Sequence, residues 1–351
     1  MRKLIPIALA GCMALAATPS PAEDKSFACK PVPTPVVALA FGSRYTDDSK
    51  TRSDLDEASN AEVDKALKPV ESFIGELSKM ANAAFLDENQ RPERAGCVLD
   101  WLTAWADAQA LTGLDTVNAK LAIPARHAGL ALALLQVEAV ADLDPEKRAK
   151  VDAWLLTLGG EMTAFFDTEA PTNASRNNLR AWAGLAAVAI GRVTADDALL
   201  GWGRSSFELV ACQASADGSL PLEMGRADRA LNYQLHAVAP LVVTADLLAA
   251  SGYDGYAACG GKLDSIVAFS LAAIEDPTLV EAINGKEQTF SSGKQELEPF
   301  MMAWAEPQLR HRPSPELEAF VAPLRPLSHS KLGGNLTKLG DWVAGLAPPA
   351  T

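Results

Sequence analysis

Residues 178–214 read NLRAWAGLAAVAIGRVTADDALLGWGRSSFELVACQA. Through 178–192, and again through 195–214, apolar side chains recur three and four residues apart, which aligns them along one face of an α-helix. Ala and Leu dominate both runs, and both residues favour the helix. Only a few residues separate the two runs, so the helices are expected to pack as an antiparallel pair. The same pattern extends outward in both directions. Residues 61–86 carry Val63, Val70, Phe73, Ile74 and Leu77 at helical spacing, and similar runs occupy 97–112, 124–141, 146–167, 226–251 and 261–275. Gly, Pro, Asn and Asp gather between them, at Gly113, Pro145, 171–173, 217–221 and 252–255, as turns require. No stretch sustains the two-residue alternation of a strand. The expected fold is all-α, with ten or more helices stacked as antiparallel pairs in a ring or arc. No change of composition interrupts 60–345, so 23–351 reads as one domain. Its first part, 23–60, is polar and opens with Pro31, Pro33 and Pro35; it reads as an irregular arm and a mobile loop.

The chain has 351 residues, with 31 Lys+Arg against 44 Asp+Glu and a formal net charge of -13. Hydrophobic residues make up 48% and charged residues 21%, a globular composition rather than a disordered one. The acidic balance argues against a general nucleic-acid binder, which needs positive charge to replace phosphate counterions. It leaves room for a polyanion held in a small basic cleft. Residues 1–22 join Arg2 and Lys3 to an apolar run from Leu4 to Ala17 and end in Ser-Pro-Ala. That is the layout of a cleavable secretory signal, too short for a comfortable membrane anchor, and it predicts a periplasmic protein without stable membrane insertion. A second reading takes Leu9-Ala10-Gly11-Cys12 as a lipoprotein box.

Export bears on the cysteines. Without Cys12 the chain holds Cys29, Cys97, Cys212 and Cys259. An even number in an oxidising compartment suggests disulfides. Three pairings are possible; Cys29–Cys97 and Cys212–Cys259 join segments that are neighbours in the chain. Buried free thiols are the alternative. Metal binding is not expected, since no C-x-x-C occurs and His127, His236, His311 and His329 are scattered.

Two loop-to-helix junctions stand out from the Ala/Leu background: 171–182, PTNASRNNLRAW, and 217–233, DGSLPLEMGRADRALNY. Each opens a helix with polar and cationic groups, and a helix start suits an anion because its first N–H groups are unpaired. On the helix read at 226–251, Arg226, Arg229 and Tyr233 fall at i, i+3 and i+7, which puts all three on one face. This set has a use. The proton next to a uronic acid carboxylate is removable when an amide or guanidinium neutralises that carboxylate and stabilises the developing anion. A base must reach the proton and an acid must reach the departing oxygen. A tyrosine serves as both if a cation lowers its pKa from about 10. Asn178, Arg226 and Tyr233 are the right groups, and no cofactor is needed. The plainer reading of an Arg/Tyr helix start is a cap or salt bridge.

At these residues the sequence resembles the alginate lyases of polysaccharide lyase family 5, the poly(β-D-mannuronate) lyases. The resemblance runs through Phe41-Gly-Ser-Arg-Tyr45, the helix at 97–105, Asn177-Asn178 followed by Trp182, the 217–233 junction, and Lys331-Leu-Gly-Gly-Asn-Leu-Thr337. It implies an incomplete α/α toroid around a long cleft, and β-elimination leaving a 4,5-unsaturated uronate end. It further implies catalytic roles for Asn178, Arg226 and Tyr233. Arg44 and Tyr45 would belong to a lid that meets the substrate. Asn177, Arg180, Trp202, Arg229 and His236 would line the substrate, although Trp202 also reads as a core aromatic. The implied partner is an acidic polysaccharide, alginate or a related polyuronate, bound by a monomer.

One position departs from the family. Its catalytic histidine follows the second asparagine, and here that residue is Leu179. Gln234 also replaces a usual histidine, and His236 stands where an aromatic is common. Either His236 supplies the missing imidazole, or Tyr233 handles both proton transfers, or His236 is a packed helix residue. His127 is a further candidate with a structural alternative. The loss of the histidine leans the expectation toward β-mannuronate, where base and leaving group lie on one side of the sugar. It also keeps open a catalytically impaired polymer binder. A glycoside hydrolase would need paired carboxylates, and only Glu223 and Asp228 lie near; Glu223 is expected to pair with an arginine.

Overall fold

The computed structural model describes residues 28–346, so the leader read at 1–22 and the box at Cys12 lie outside the described residues. Fourteen α-helices follow one another among them. They are α1 (Glu57–Leu86), α2 (Arg91–Asp107), α3 (Val117–Ala122), α4 (Pro124–Glu138), α5 (Pro145–Thr168), α6 (Asn178–Thr194) and α7 (Asp197–Ala211). Then come α8 (Pro221–Met224), α9 (Ala230–Ala249), α10 (Lys262–Glu275), α11 (Thr278–Asn284), α12 (Ala305–His311), α13 (Pro315–Val321) and α14 (Leu336–Leu339). Helices α1, α4, α6 and α9 pack side by side, and α2, α5, α7 and α10 cover them from outside. The result is an incomplete α/α toroid. Sequence explains which helices lie inside. Every residue of α9 from Ala237 to Leu248 is buried, as is nearly all of α4 and α6; a helix apolar on all sides must be surrounded. The outer helices keep a polar face.

Tryptophans tie the N-terminal arm to this frame. The indoles of Trp101 and Trp105 donate to the carbonyls of Lys30 (3.0 Å) and Pro33 (3.2 Å), and Trp105 stacks on Phe73 with centroids 3.7 Å apart. The disulfide Cys29–Cys97 joins the arm to α2, and Cys212–Cys259 joins the end of α7 to the turn before α10. Two short strands, β1 (Ala38–Leu39) and β2 (Gly113–Leu114), pair in parallel. Gly113 permits this approach, because a Cβ there would meet the Ala38 Cβ at 2.9 Å. Helix α1 starts at the capped Glu57, four residues before the start expected from its pattern.

The C-terminal tail returns to the inner helices. Strands β3 (Ser328–His329) and β4 (Gly334–Asn335) pair antiparallel, and the turn between them lies against α1, α4 and α9. Asn82 and Gln136, both buried, donate to the Gly333 carbonyl at 2.9 and 2.7 Å, and Asn82 Oδ1 accepts from Asn335 N at 2.7 Å. These bonds place His329 and Lys331 at the inner surface of the toroid.

One expectation is corrected. The helix read at 226–251 begins only at Ala230. Ala227 adopts φ +48, a left-handed conformation that a helix cannot continue through. Its carbonyl accepts from Asn284 Nδ2 (2.8 Å) and Gln288 Nε2 (3.1 Å), so a distant loop fixes the break. Arg226 and Arg229 therefore precede the helix that carries Tyr233.

Candidate active site

Asn177 caps α6: its side-chain oxygen accepts from Leu179 N at 3.0 Å, the usual work of Asn at a helix start. Asn178, the first residue of the helix, is buried, with its side-chain amide donating to Glu223 Oε2 (2.8 Å) and its backbone N–H to Glu223 Oε1 (2.7 Å). Glu223 thus pairs with an asparagine, not with the arginine expected from sequence. When ionised, Glu223 can only accept; the amide nitrogen faces it, and Asn178 Oδ1 turns toward His236 Nδ1, 3.1 Å away. Gln234 is buried and clamps the 218–220 loop. It accepts from Leu220 N at 3.0 Å and donates to Gly218 O at 3.3 Å.

The break at Ala227 folds Arg226 over the first turns of α9. Its guanidinium carbon lies 3.5 Å from the Tyr233 ring centroid, and that of Arg229 lies 5.9 Å away. The grouping expected from helical spacing is reached, by a kink instead of a continuous face. The arm supplies the other side. Arg226 donates to the carbonyls of Thr51 (2.8 Å) and Arg52 (2.6 Å), and to the Tyr45 hydroxyl at 3.3 Å. The Tyr45 and Tyr233 hydroxyls are hydrogen-bonded to each other. The loop read as a lid therefore rests on the phenol and the guanidinium.

Behind these groups lies a cluster of cations, of which sequence reading singled out only Arg44. Arg126 and Lys331 share Glu71, with Lys331 at 3.0 Å, and Arg44 pairs with Asp64 at 2.6 Å. Burial, with Arg126 beside it, pushes the Lys331 ammonium down to about 8. Burial and the same cations hold the His329 imidazole well below its ordinary value. Lys331 lay in plain sight in the 331–337 motif, and Arg126 beside His127; the signal was a cation inside an apolar helix or turn. His127 is buried, with neither ring nitrogen hydrogen-bonded, and burial pushes it down to about 3. It is a packed residue.

Two residues read as substrate-lining are engaged elsewhere. Arg180 follows Asn178 by two positions, more than half a turn around the helix. It is buried against Ser206 (2.7 Å) and Asp167 (3.0 Å), with its guanidinium 3.8 Å from the Trp202 ring centroid. The Trp202 indole donates to the same Asp167 at 2.9 Å.

Burial raises the Glu223 carboxyl to about 7, against the Asn178 hydrogen bonds and the Arg226 charge, which favour ionisation. A raised carboxyl is a stability cost that grows as pH climbs from the unfolded value of 4.5 to about 7 and is complete above it. The cost is on the order of 3 kcal/mol. Glu223→Gln is expected to flatten that decline. Melting temperatures of the two proteins across pH 4.5–8 check this, and parallel curves would assign the decline to other groups.

A toroid that carries a guanidinium stacked on a phenol, and a carboxylate-anchored amide at the start of a neighbouring inner helix, has the architecture of a polysaccharide lyase. The alginate lyase family model matches residues 121–279. A polysaccharide lyase of Stenotrophomonas maltophilia is 32% identical over 287 residues, 81% of this chain and 81% of that protein. An alginate lyase of Pseudomonas fluorescens is 29% identical over 328 residues, covering 91% of this chain and 86% of its own. Among solved structures, a histidine-to-alanine variant of alginate lyase A1-III complexed with tetrasaccharide superposes with a TM-score of 0.76 at 25% identity, over 92% of this chain and 88% of that one. Alginate lyase A1-III from Sphingomonas species A1 gives 0.72 at 24% identity, over 89% and 86%. The chain belongs to the alginate lyase family.

Proposed function

We propose that this protein cleaves alginate, or a closely related polyuronate, by β-elimination in the periplasm, to which the leader at 1–22 would direct it. The observation that carries this reading is Arg226 stacked 3.5 Å over Tyr233, beside an asparagine amide held by a buried carboxylate. The sugar carboxylate binds Asn178 and Arg226, whose N–H groups offset the charge that builds on it. Arg226 also provides the positive charge against which Tyr233 can act as phenolate. The phenolate takes the proton from C5, the C–H electron pair becomes the C4=C5 double bond, and the bond from C4 to the glycosidic oxygen breaks. The phenol then returns its proton to that oxygen. One group can do both only when proton and leaving group lie on the same side, as in β-mannuronate. The basic cluster of Arg44, Arg126 and Lys331 suits the neighbouring carboxylates of such a polymer. Tyr45 must yield its contact with Tyr233 for a sugar to enter, which gives the arm the part of a lid.

A second reading has one observation in its favour. Leu179 occupies the position of the family's histidine, and a protein without that imidazole could bind the polymer and not cleave it. Mixing the purified protein with polymannuronate, polyguluronate, glucuronan and hyaluronan separates the two. Ultraviolet absorbance of the new double bond, greatest on polymannuronate, is the expected result. Binding without absorbance would establish the second reading, and new reducing ends without absorbance would establish hydrolysis.

A further inference from the structure

The side chain of His236 sits one turn along α9 from Tyr233, with its outer edge exposed. Its ring lies between Trp182, at 5.3 Å between centroids, and Tyr233, at 6.3 Å. Nδ1 has two neighbours, Asn178 Oδ1 at 3.1 Å and Trp182 Nε1 at 3.0 Å. These make opposite demands. An indole nitrogen only donates, and an amide oxygen only accepts. Trp182 Nε1 has another acceptor, the His236 backbone carbonyl, also at 3.0 Å. Asn178 Oδ1 faces away from Glu223, and Leu179, next in the chain, has no side-chain donor to offer it. The assignment that serves both Asn178 Oδ1 and the indole puts the hydrogen on Nδ1, directs it at Asn178 Oδ1, and sends the indole hydrogen to the carbonyl.

We propose that His236 is a positioning residue for the elimination: its Nδ1–H anchors and polarises the Asn178 amide so that the amide's free N–H meets the sugar carboxylate. A donor on the amide oxygen draws electron density from the nitrogen and strengthens the N–H as a donor. It also counters the Glu223 carboxylate, which pushes density the other way. The surrounding protein, and then Lys331, Arg126 and Arg226, keep the imidazole neutral, holding its pKa well below 6.5. An exposed donor-free residue at 236 would leave Asn178 Oδ1 to water.

This inference rests on the lyase reading, and two experiments keep them apart. The first compares His236→Leu, which has no donor, with His236→Asn, whose amide can place a donor near the Nδ1 position. The leucine variant is expected to lose about tenfold in kcat with KM little changed, the size of one lost hydrogen bond to the transition-state apparatus. The asparagine variant is expected to recover most of that loss. Unchanged kcat in the leucine variant, or equal losses in both at unchanged melting temperature, overturns the proposal. The second is independent of turnover: nitrogen NMR of the imidazole in the full protein at pH 7. The neutral Nδ1–H tautomer is expected, and an Nε2–H tautomer or an imidazolium overturns it. Absence of unsaturated product from the unaltered protein on every polyuronate would sink the lyase reading instead.

Discussion

Tyr233→Phe is expected to lower kcat on polymannuronate by roughly 10²–10⁴-fold while the protein stays folded, the range typical of losing a positioned proton-transfer group. Phenylalanine keeps the ring under Arg226, so the stacking at 3.5 Å survives, and only the oxygen goes. That oxygen touches Tyr45 and nothing that holds the frame. The melting temperature should therefore move little. A steady-state ultraviolet assay beside thermal unfolding reads both quantities. A variant retaining a tenth or more of the parent rate would remove the phenol from the mechanism, and with it the one group proposed to move both protons. The rest of the hollow could then still bind the polymer, which is the impaired reading.

The second large effect is on stability. Gly218 has φ +94, and a Cβ built there would stand 2.0 Å from the Ser265 carbonyl oxygen on α10. Backbone cannot move aside as a flexible side chain can. Its loop is closed by Ser215 N to Ser219 O (2.9 Å) and by Asp217 accepting from Ser219 N (2.9 Å), and Gln234 grips the Gly218 carbonyl. Gly218→Ala is expected to cost about 3 kcal/mol or more, combining left-handed strain with overpacking. The loop leads straight to Glu223, so Asn178 loses its anchor as well. Gly225→Ala is the control. Gly225 has no positive φ, and its Cβ would meet nothing closer than 3.6 Å. Equal destabilisation of the two variants in urea would show that the 218 turn is not constrained as described.

Much of the frame is legible in residue order because helices are made by local contacts. The apolar residues of 178–194 repeat with the helical period, and the Asn177 cap, the Pro at the starts of α4 and α5, and the short polar breaks mark the ends. The same locality explains what was misread. Nothing near Ala227 announces a left-handed residue; its conformation is held by Asn284 and Gln288, 57 and 61 positions away. Strands β1 and β2 are two residues each, too short to show a period. The 305–339 region forms short helices around a returning tail whose order comes from Asn82 and Gln136 on other helices.

The site divides along the same line. From residue order alone came the helical class, the family, and the types of group needed to hold and deprotonate a sugar acid, since Asn178, Arg226 and Tyr233 sit in two short, unusual junctions. Only the folded chain could say that Glu223 grips Asn178, that Arg126 and Lys331 share Glu71 behind the site, and that Arg180 and Trp202 face Asp167 instead. Those partners lie between 13 and 260 positions apart, and charge and hydrogen bonding act through space, where separation along the chain carries no information.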